Sequence, residues 1–183
     1  MRFLGRWVAD CVELAFMLAG AVLLMQVPAV THAYVVALQQ VEQQARRDID
    51  QREADARQYY HLPPDTADDA LIRALQPREP ANAAALQQSI ARAVMFSRTA
   101  TLIAAASPLD RPIAALLDAT RRPDADKLAV LSTCLETYAP QITLALDAAV
   151  YGIVGLLIGG LLGHMVSAVP GVIAPSRRAR PTV

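Results

Sequence analysis

The side chains best suited to metal binding or nucleophilic chemistry are few in this chain of 183 residues: three histidines and two cysteines. Cys11 and Cys134 are far apart, and the histidines at positions 32, 61 and 164 form no zinc-ligand spacing with them. No serine–histidine–aspartate combination, phosphate-binding glycine loop or paired-carboxylate site is recognisable either. We therefore predict no catalytic residue, no metal and no other cofactor, and we expect the protein not to be an enzyme.

Two histidines each follow a carboxylate along the chain, and the two separations are nearly equal. Glu13 and His32 are 19 residues apart, and Asp147 and His164 are 17 apart. In α-helices these separations correspond to about 28 and about 26 Å. Two antiparallel helices would bring Glu13 beside His164 at one end. The same register would bring His32 beside Asp147 at the other end, so we predict two anchoring pairs. Haem ligation by His164 and proton transfer are the alternatives.

Two long segments without formal charge contain most of the apolar excess. They cover residues 14–41 and 148–176. A helix of about 20 apolar residues crosses a bilayer core of about 30 Å. We predict transmembrane helices at residues 13–33 and 144–169, in contact with membrane lipids. The alternatives are a soluble protein with two buried core helices, or a cleaved signal peptide in place of the first span.

Basic residues flank the two predicted spans on the same side. Arg2 and Arg6 precede the first span, and Arg177, Arg178 and Arg180 follow the second. Short flanks rich in basic residues stay in the cytoplasm, so both termini are expected there and the middle segment outside. A single lysine among many arginines is typical of a GC-rich bacterial genome. We therefore expect the bacterial inner membrane, with the middle segment in the periplasm.

The middle segment predicts a helical module, and the whole chain predicts an all-α membrane protein. The first membrane helix is expected to continue to Tyr60, because no helix breaker lies between Pro28 and Pro63. Further helices are predicted at 65–75 with Asp65 as N-cap, at 82–106 with Asn82 as N-cap, at 112–121, and from Asp124 toward the second span. The predicted divisions are a cytoplasmic stub (1–12), the first transmembrane helix (13–33), a periplasmic helical module (34–143), the second transmembrane helix (144–169) and a basic cytoplasmic tail (170–183).

An apolar stripe with steps of three and four residues runs along both long segments. On the first it comprises Met17, Gly20, Leu24, Val27, Thr31, Tyr34, Leu38, Val41 and Ala45. On the second it comprises Leu128, Leu131, Leu135, Tyr138, Ile142, Ala145, Ala149, Gly152, Leu156, Gly159 and Gly163. This spacing is typical of a coiled-coil seam and predicts an antiparallel pair that continues beyond the bilayer. The first stripe is expected to end at Ala45, because Asp48 and Arg52 occupy the next positions.

Small residues recur every four positions in the second span. Without side chains on one face, another helix backbone can approach closely, which favours helix association in membranes. The candidate helix-packing residues are Gly152, Gly155, Gly159 and Gly163 in the second span, and Ala15, Ala19 and Gly20 in the first. The spacing leaves the partner open: the first span, a second copy, or a different protein.

The last third of the chain carries a family resemblance. Residues 138–144 read YAPQITL, and glycines follow from Gly152 to Gly163. A short basic start, a first span and a Gln/Arg-rich helix come before them. In this layout the chain resembles a bacterial family of two-pass inner-membrane proteins of unknown function. The resemblance implies no activity, cofactor or catalytic residue.

The leading functional hypothesis is a non-enzymatic structural or interaction protein of the inner membrane. It would assemble with itself as a homo-oligomer, or serve as an accessory subunit bound to other inner-membrane proteins. A receptor-like periplasmic sensor without its own output domain and a small oligomeric channel are the alternatives. Nucleic acid is not an expected partner, since 17 basic and 17 acidic residues leave no net positive charge to neutralise phosphates.

Overall fold

A computed structural model describes residues 2–63, 66–139 and 145–173, with side chains from 7 to 167 within those ranges. In these ranges all regular structure is helical, which confirms the predicted all-α class. The helices are α1 (Arg2–Tyr59), α2 (Asp68–Leu75), α3 (Pro80–Ala105), α4 (Arg111–Arg121), α5 (Ala125–Thr137) and α6 (Leu146–Ile173). The chain forms two compact units, one made of Met1–Ala29 with Pro140–Val183 and the other of Val30–Ala139.

The first unit contains the beginning of α1 and the whole of α6. Both stretches are apolar and rich in Leu and Ala, which are good helix formers. Two helices, one starting at Trp7 and one covering Leu146–Ser167, are long and apolar enough to cross a membrane. Pro28 lies inside α1 without ending it.

The second unit has two apolar clusters along α1. One joins Tyr34 and Leu38 of α1 to the end of α3 and to α5: Phe96, Ala100, Ile103 and Cys134. The other joins Ile49 and Ala56 of α1 to α2 and to the start of α3: Leu71, Leu75, Ala83, Leu86 and Ala93. Because the end of α3 packs near the beginning of this part of α1, the two helices run antiparallel.

The buried stripe of α1 continues beyond the predicted end at Ala45. Ile49, Glu53 and Ala56 are all buried. Steps of four residues from Ala45 reach Ile49 and then Glu53, so the stripe avoids the charged positions 48 and 52. The prediction that the stripe ends at Ala45 is wrong, because the stripe continues through the buried carboxylate of Glu53.

The starts of α2 and α3 differ from the predictions. α2 begins at Asp68 after Ala67, which makes no side-chain capping bond, and the predicted N-cap Asp65 lies outside the described residues. α3 begins at Pro80, because a proline at the first helical position loses no intrahelical hydrogen bond. Asn82 is therefore inside the first turn, where its Nδ2 donates to Glu79 Oε2 at 3.0 Å.

α5 begins as predicted and ends earlier than predicted. The Asp124 carboxylate accepts from the backbone N–H groups of Asp126 at 2.9 Å and Lys127 at 3.3 Å, which caps the helix. The helix ends at Thr137, and Tyr138 is extended. The apolar stripe predicted from Leu128 to Gly163 is therefore divided between two helices, α5 and α6. The seam position 142 lies outside the described residues.

Candidate functional site

The backbones of α1 and α6 touch at the glycines of the first unit. A Cβ atom added at Gly155 would overlap the carbonyl oxygen of Gly20 and lie 3.0 Å from the Cα of Ala21. A Cβ added at Gly159 would overlap the carbonyl oxygen of Phe16. Real Cβ atoms essentially never come this close to backbone atoms. Hydrogen at these positions is therefore what permits the contact.

The other glycines of the second span face α1 as well. At Gly163 an added Cβ would lie 2.9 Å from the Cα of Glu13, and at Gly152 it would lie 2.7 Å from the Met25 side chain. Position 163 therefore faces position 13, and position 152 faces position 25, so the two helices are antiparallel within this unit.

The residues that α1 contributes differ in part from the predicted ones. Gly20 faces the glycines of α6, whereas Ala15 and Ala19 are exposed. Phe16 and Met17 provide the facing backbone instead. Position 17 belongs to the apolar stripe on α1, and this stripe was the sequence signal for the contact face.

One of the two predicted carboxylate–histidine pairs lies within a single unit. His164 Nδ1 and Glu13 Oε2 are 3.9 Å apart, which is longer than a hydrogen bond. His32 is an exposed residue of the second unit. Asp147 belongs to the first unit, where its Oδ1 accepts from the backbone N–H of Ala148 at 2.9 Å.

A partly buried carboxylate–guanidinium pair lies near the end of α1. Glu53 Oε2 accepts from Arg57 Nη2 at 3.0 Å, and the same Nη2 donates to the carbonyl oxygen of Thr66 at 3.1 Å. Burial raises the pKa of Glu53, and the negative charge of Asp68 raises it further, while the hydrogen bond from Arg57 opposes both effects. The pair joins the end of α1 to the segment before α2.

A second buried ion pair joins α4 to α5. Lys127 Nζ donates to Asp118 Oδ2 at 2.7 Å, and their side chains are 7 % and 12 % exposed. The Tyr34 phenol lies in the neighbouring apolar cluster. Burial, followed by the negative charges of Asp118 and Asp124, raises the pKa of Tyr34 to about 12.

A cavity of about 370 Å³ opens beside this ion pair, between α3 and the α4–α5 connection. This volume falls in the usual range of small-molecule sites, roughly 300–1,000 Å³. The lining residues are Ala91, Val94, Met95, Arg98, Thr99, Leu102, Asp118, Arg122, Pro123, Asp124 and Lys127. They come from three helices and one loop, so no local sequence pattern could have identified the site.

Within the described ranges, the fold defines an all-helical protein with two helices apolar and long enough to cross a membrane. Over the same ranges, no group of three or more His, Cys, Asp or Glu side chains could hold a metal ion. Residues 8–176 match the family described as "Protein of unknown function (DUF2937)", and the chain belongs to this family. No curated protein and no solved structure matches the chain.

Proposed function

We propose that the chain is a two-pass protein of the bacterial inner membrane that acts by binding other proteins. In this proposal residues 13–33 of α1 and the helix α6 span the bilayer, both termini lie in the cytoplasm, and the module at residues 34–143 lies in the periplasm. The protein would be an accessory subunit of a larger membrane complex or would assemble with itself, and it would not be an enzyme.

Membrane insertion is supported by the apolar side chains that the first unit turns outward. Leu23 of α1 is 68 % exposed, and Leu157 and Leu161 of α6 are also exposed. Burying a side chain of this size is worth about 1.5–3 kcal/mol, so leaving many of them in water is costly. A lipid environment removes this cost, whereas a core helix of a soluble protein would have these residues buried.

Retention of the first span is supported by the glycine contact. If residues 1–33 were removed as a signal peptide, the face of α6 at Gly155 and Gly159 would lose the backbone that packs against it. The same contact argues against self-assembly through these glycines, because a second copy would have to displace α1. We therefore assign the protein-binding surface to another part of the molecule.

The single observation that carries the interaction proposal is the outward apolar face of α4. Ile113, Leu116 and Leu117 are exposed, with Leu116 at 65 %, and Pro112 is the buried residue of this helix. Spacings of three and four residues place the three side chains on one side of the helix. Asp118 instead points its charge toward Lys127. Contiguous exposed apolar residues are typical of protein-binding surfaces.

A site-specific photo-crosslink tests this proposal. A benzophenone amino acid replaces Leu116 on α4 or, as a matched control, the exposed Gln87 on α3. We expect adducts from position 116 in native membranes and none from position 87. An adduct of twice the chain mass indicates self-assembly, and any other mass indicates an accessory role. Absence of adducts at 116, or equal adducts at both positions, would contradict the proposal.

A further inference from the structure

The cavity between α3 and the α4–α5 connection contains polar groups whose hydrogen-bonding capacity is unused. Thr99 is 4 % exposed, and its hydroxyl forms no hydrogen bond with any residue in the described part of the chain. Lys127 uses one of its three ammonium donors, on Asp118. Both side chains line the cavity, so a ligand or water there can accept hydrogen bonds from their remaining donors.

Two guanidinium groups also line this cavity. Arg98 and Arg122 are both exposed, and among the described residues neither side chain forms an ion pair. Guanidinium groups bind carboxylates through two parallel N–H···O bonds. The open donors at the cavity therefore all fit an anion.

The acidic side chains of the lining are already engaged. Asp118 binds Lys127, and the Oδ1 atom of Asp124 accepts from two backbone N–H groups at the start of α5. The lining contains three cationic side chains and these two carboxylates, so its net charge is positive. An anion entering the cavity would meet two free guanidinium groups.

The rest of the lining is apolar. It consists of Ala91, Val94, Met95, Leu102 and Pro123. An inorganic anion would leave this surface in contact with water, whereas a ligand with a short hydrocarbon part would cover it. We infer that the cavity is a binding site for a small amphipathic carboxylate, with its carboxylate toward the arginines and its hydrocarbon part against α3. This inference goes beyond the proposed function and does not depend on membrane insertion.

Saturation-transfer NMR on the full chain in nanodiscs tests the inference, with empty nanodiscs as the blank. The probes are phenylacetate and hexanoate, and the neutral phenylacetamide serves as the chemical control. We expect saturable binding of both carboxylates and at least tenfold weaker binding of the amide. No saturable carboxylate binding, or equal binding of phenylacetate and phenylacetamide, would overturn the inference.

Variants locate the binding. Arg98→Gln and Arg122→Gln remove exposed charges and should each weaken phenylacetate binding at least fivefold. Arg121→Gln is the matched control, because this exposed arginine adjoins Arg122 but does not line the cavity, and it should leave the Kd unchanged. Thr99→Val keeps the side-chain shape and should weaken binding about threefold to tenfold, as expected for one lost hydrogen bond. Equal affinities in wild type and both lining-arginine variants would place the bound probe elsewhere and overturn the assignment.

Discussion

Lys127 and Asp118 form an ion pair of 2.7 Å, and their side chains are only 7 % and 12 % exposed. Lysine is seldom buried unless it is paired, and this is the chain's single lysine. The pair links α5 to α4 beside the cavity, so it fixes the connection that carries Asp124 and Arg122. The stability of this part of the second unit should therefore depend on both charges together.

Removing one partner of this pair should destabilise the protein strongly. Asp118→Asn leaves the Lys127 ammonium buried without a counter-charge, and breaking such pairs costs about 3–5 kcal/mol. The double variant Asp118→Leu/Lys127→Met removes both charges and should recover most of the loss. Thermal unfolding of the full chain in detergent, followed by circular dichroism, measures these effects.

The exposed pair between Arg92 and Asp126 is a matched control. Its Nε–Oδ2 distance is also 2.7 Å, but its side chains are 46 % and 42 % exposed. Exposed ion pairs contribute about 0–1 kcal/mol, so Arg92→Gln should change the Tm little. Comparable losses from Arg92→Gln and Asp118→Asn would show that burial does not decide the strength of these pairs.

Tyr34 should make stability depend on pH in the alkaline range. Its pKa is raised from 10.0 to about 12, so between these values the unfolded chain releases a proton that the folded chain keeps. This contribution to stability is complete below pH 10 and is lost as the pH rises toward 12. Absorbance of tyrosinate measured against pH should show a late component that Tyr34→Phe removes. The prediction would be contradicted if the wild type and Tyr34→Phe differed only by one tyrosine that titrates at the ordinary pKa of tyrosine.

The sequence allowed the helical class and the end of α1 near Tyr59 to be predicted, because these depend on local composition and on helix breakers. The start of α1 at Arg2, before the predicted position 13, was not predicted. The Asp124 cap was equally predictable, since a capping carboxylate acts on the residues that follow it. The start of α3 was missed because Pro80 and Asn82 both favour a helix start, and the N-cap is Glu79, three residues before Asn82.

Features that depend on contacts between distant residues could not be predicted. Glu53 lies in a charge-rich stretch of α1, which by itself indicates exposure, yet it is only 5 % exposed and forms an ion pair with Arg57 one turn later. Ala15 was predicted to contact α6 but is exposed. Small residues beside the apolar stripe of α1 recur at the same spacing as those on the stripe. Only the position of α6 shows which small residues it contacts.

The proposed topology predicts opposite behaviour of two reporters. A fluorescent protein fused after Val183 should fluoresce, and one inserted in the turn before Pro80 should not, because this reporter fails to mature in the periplasm. Alkaline phosphatase at the same two positions should give the reverse activities. Fluorescence at the Pro80 position would overturn the orientation. Fluorescence at both positions would indicate that the chain is not inserted as proposed.

Gly159 gives the sharpest test of the contact between α1 and α6. Any side chain at this position meets the backbone of Phe16 and Met17, which cannot move as a flexible side chain can. Gly159→Leu should therefore cost at least the roughly 1–3 kcal/mol typical of overpacking, and should lower the Tm in detergent. Lipid offers little compensation, because burying leucine between helices in a bilayer gains little hydrophobic energy.

The matched control for Gly159 is Leu157→Ala, because Leu157 is 65 % exposed on another side of the same helix. It should leave the Tm nearly unchanged. Gly159→Ala should fall between the two, since one methyl group already overlaps the Phe16 carbonyl oxygen. A Tm for Gly159→Leu equal to that of Leu157→Ala would mean that the glycines face lipid rather than α1. The argument that the first span must be retained for α6 to pack would then fail with it.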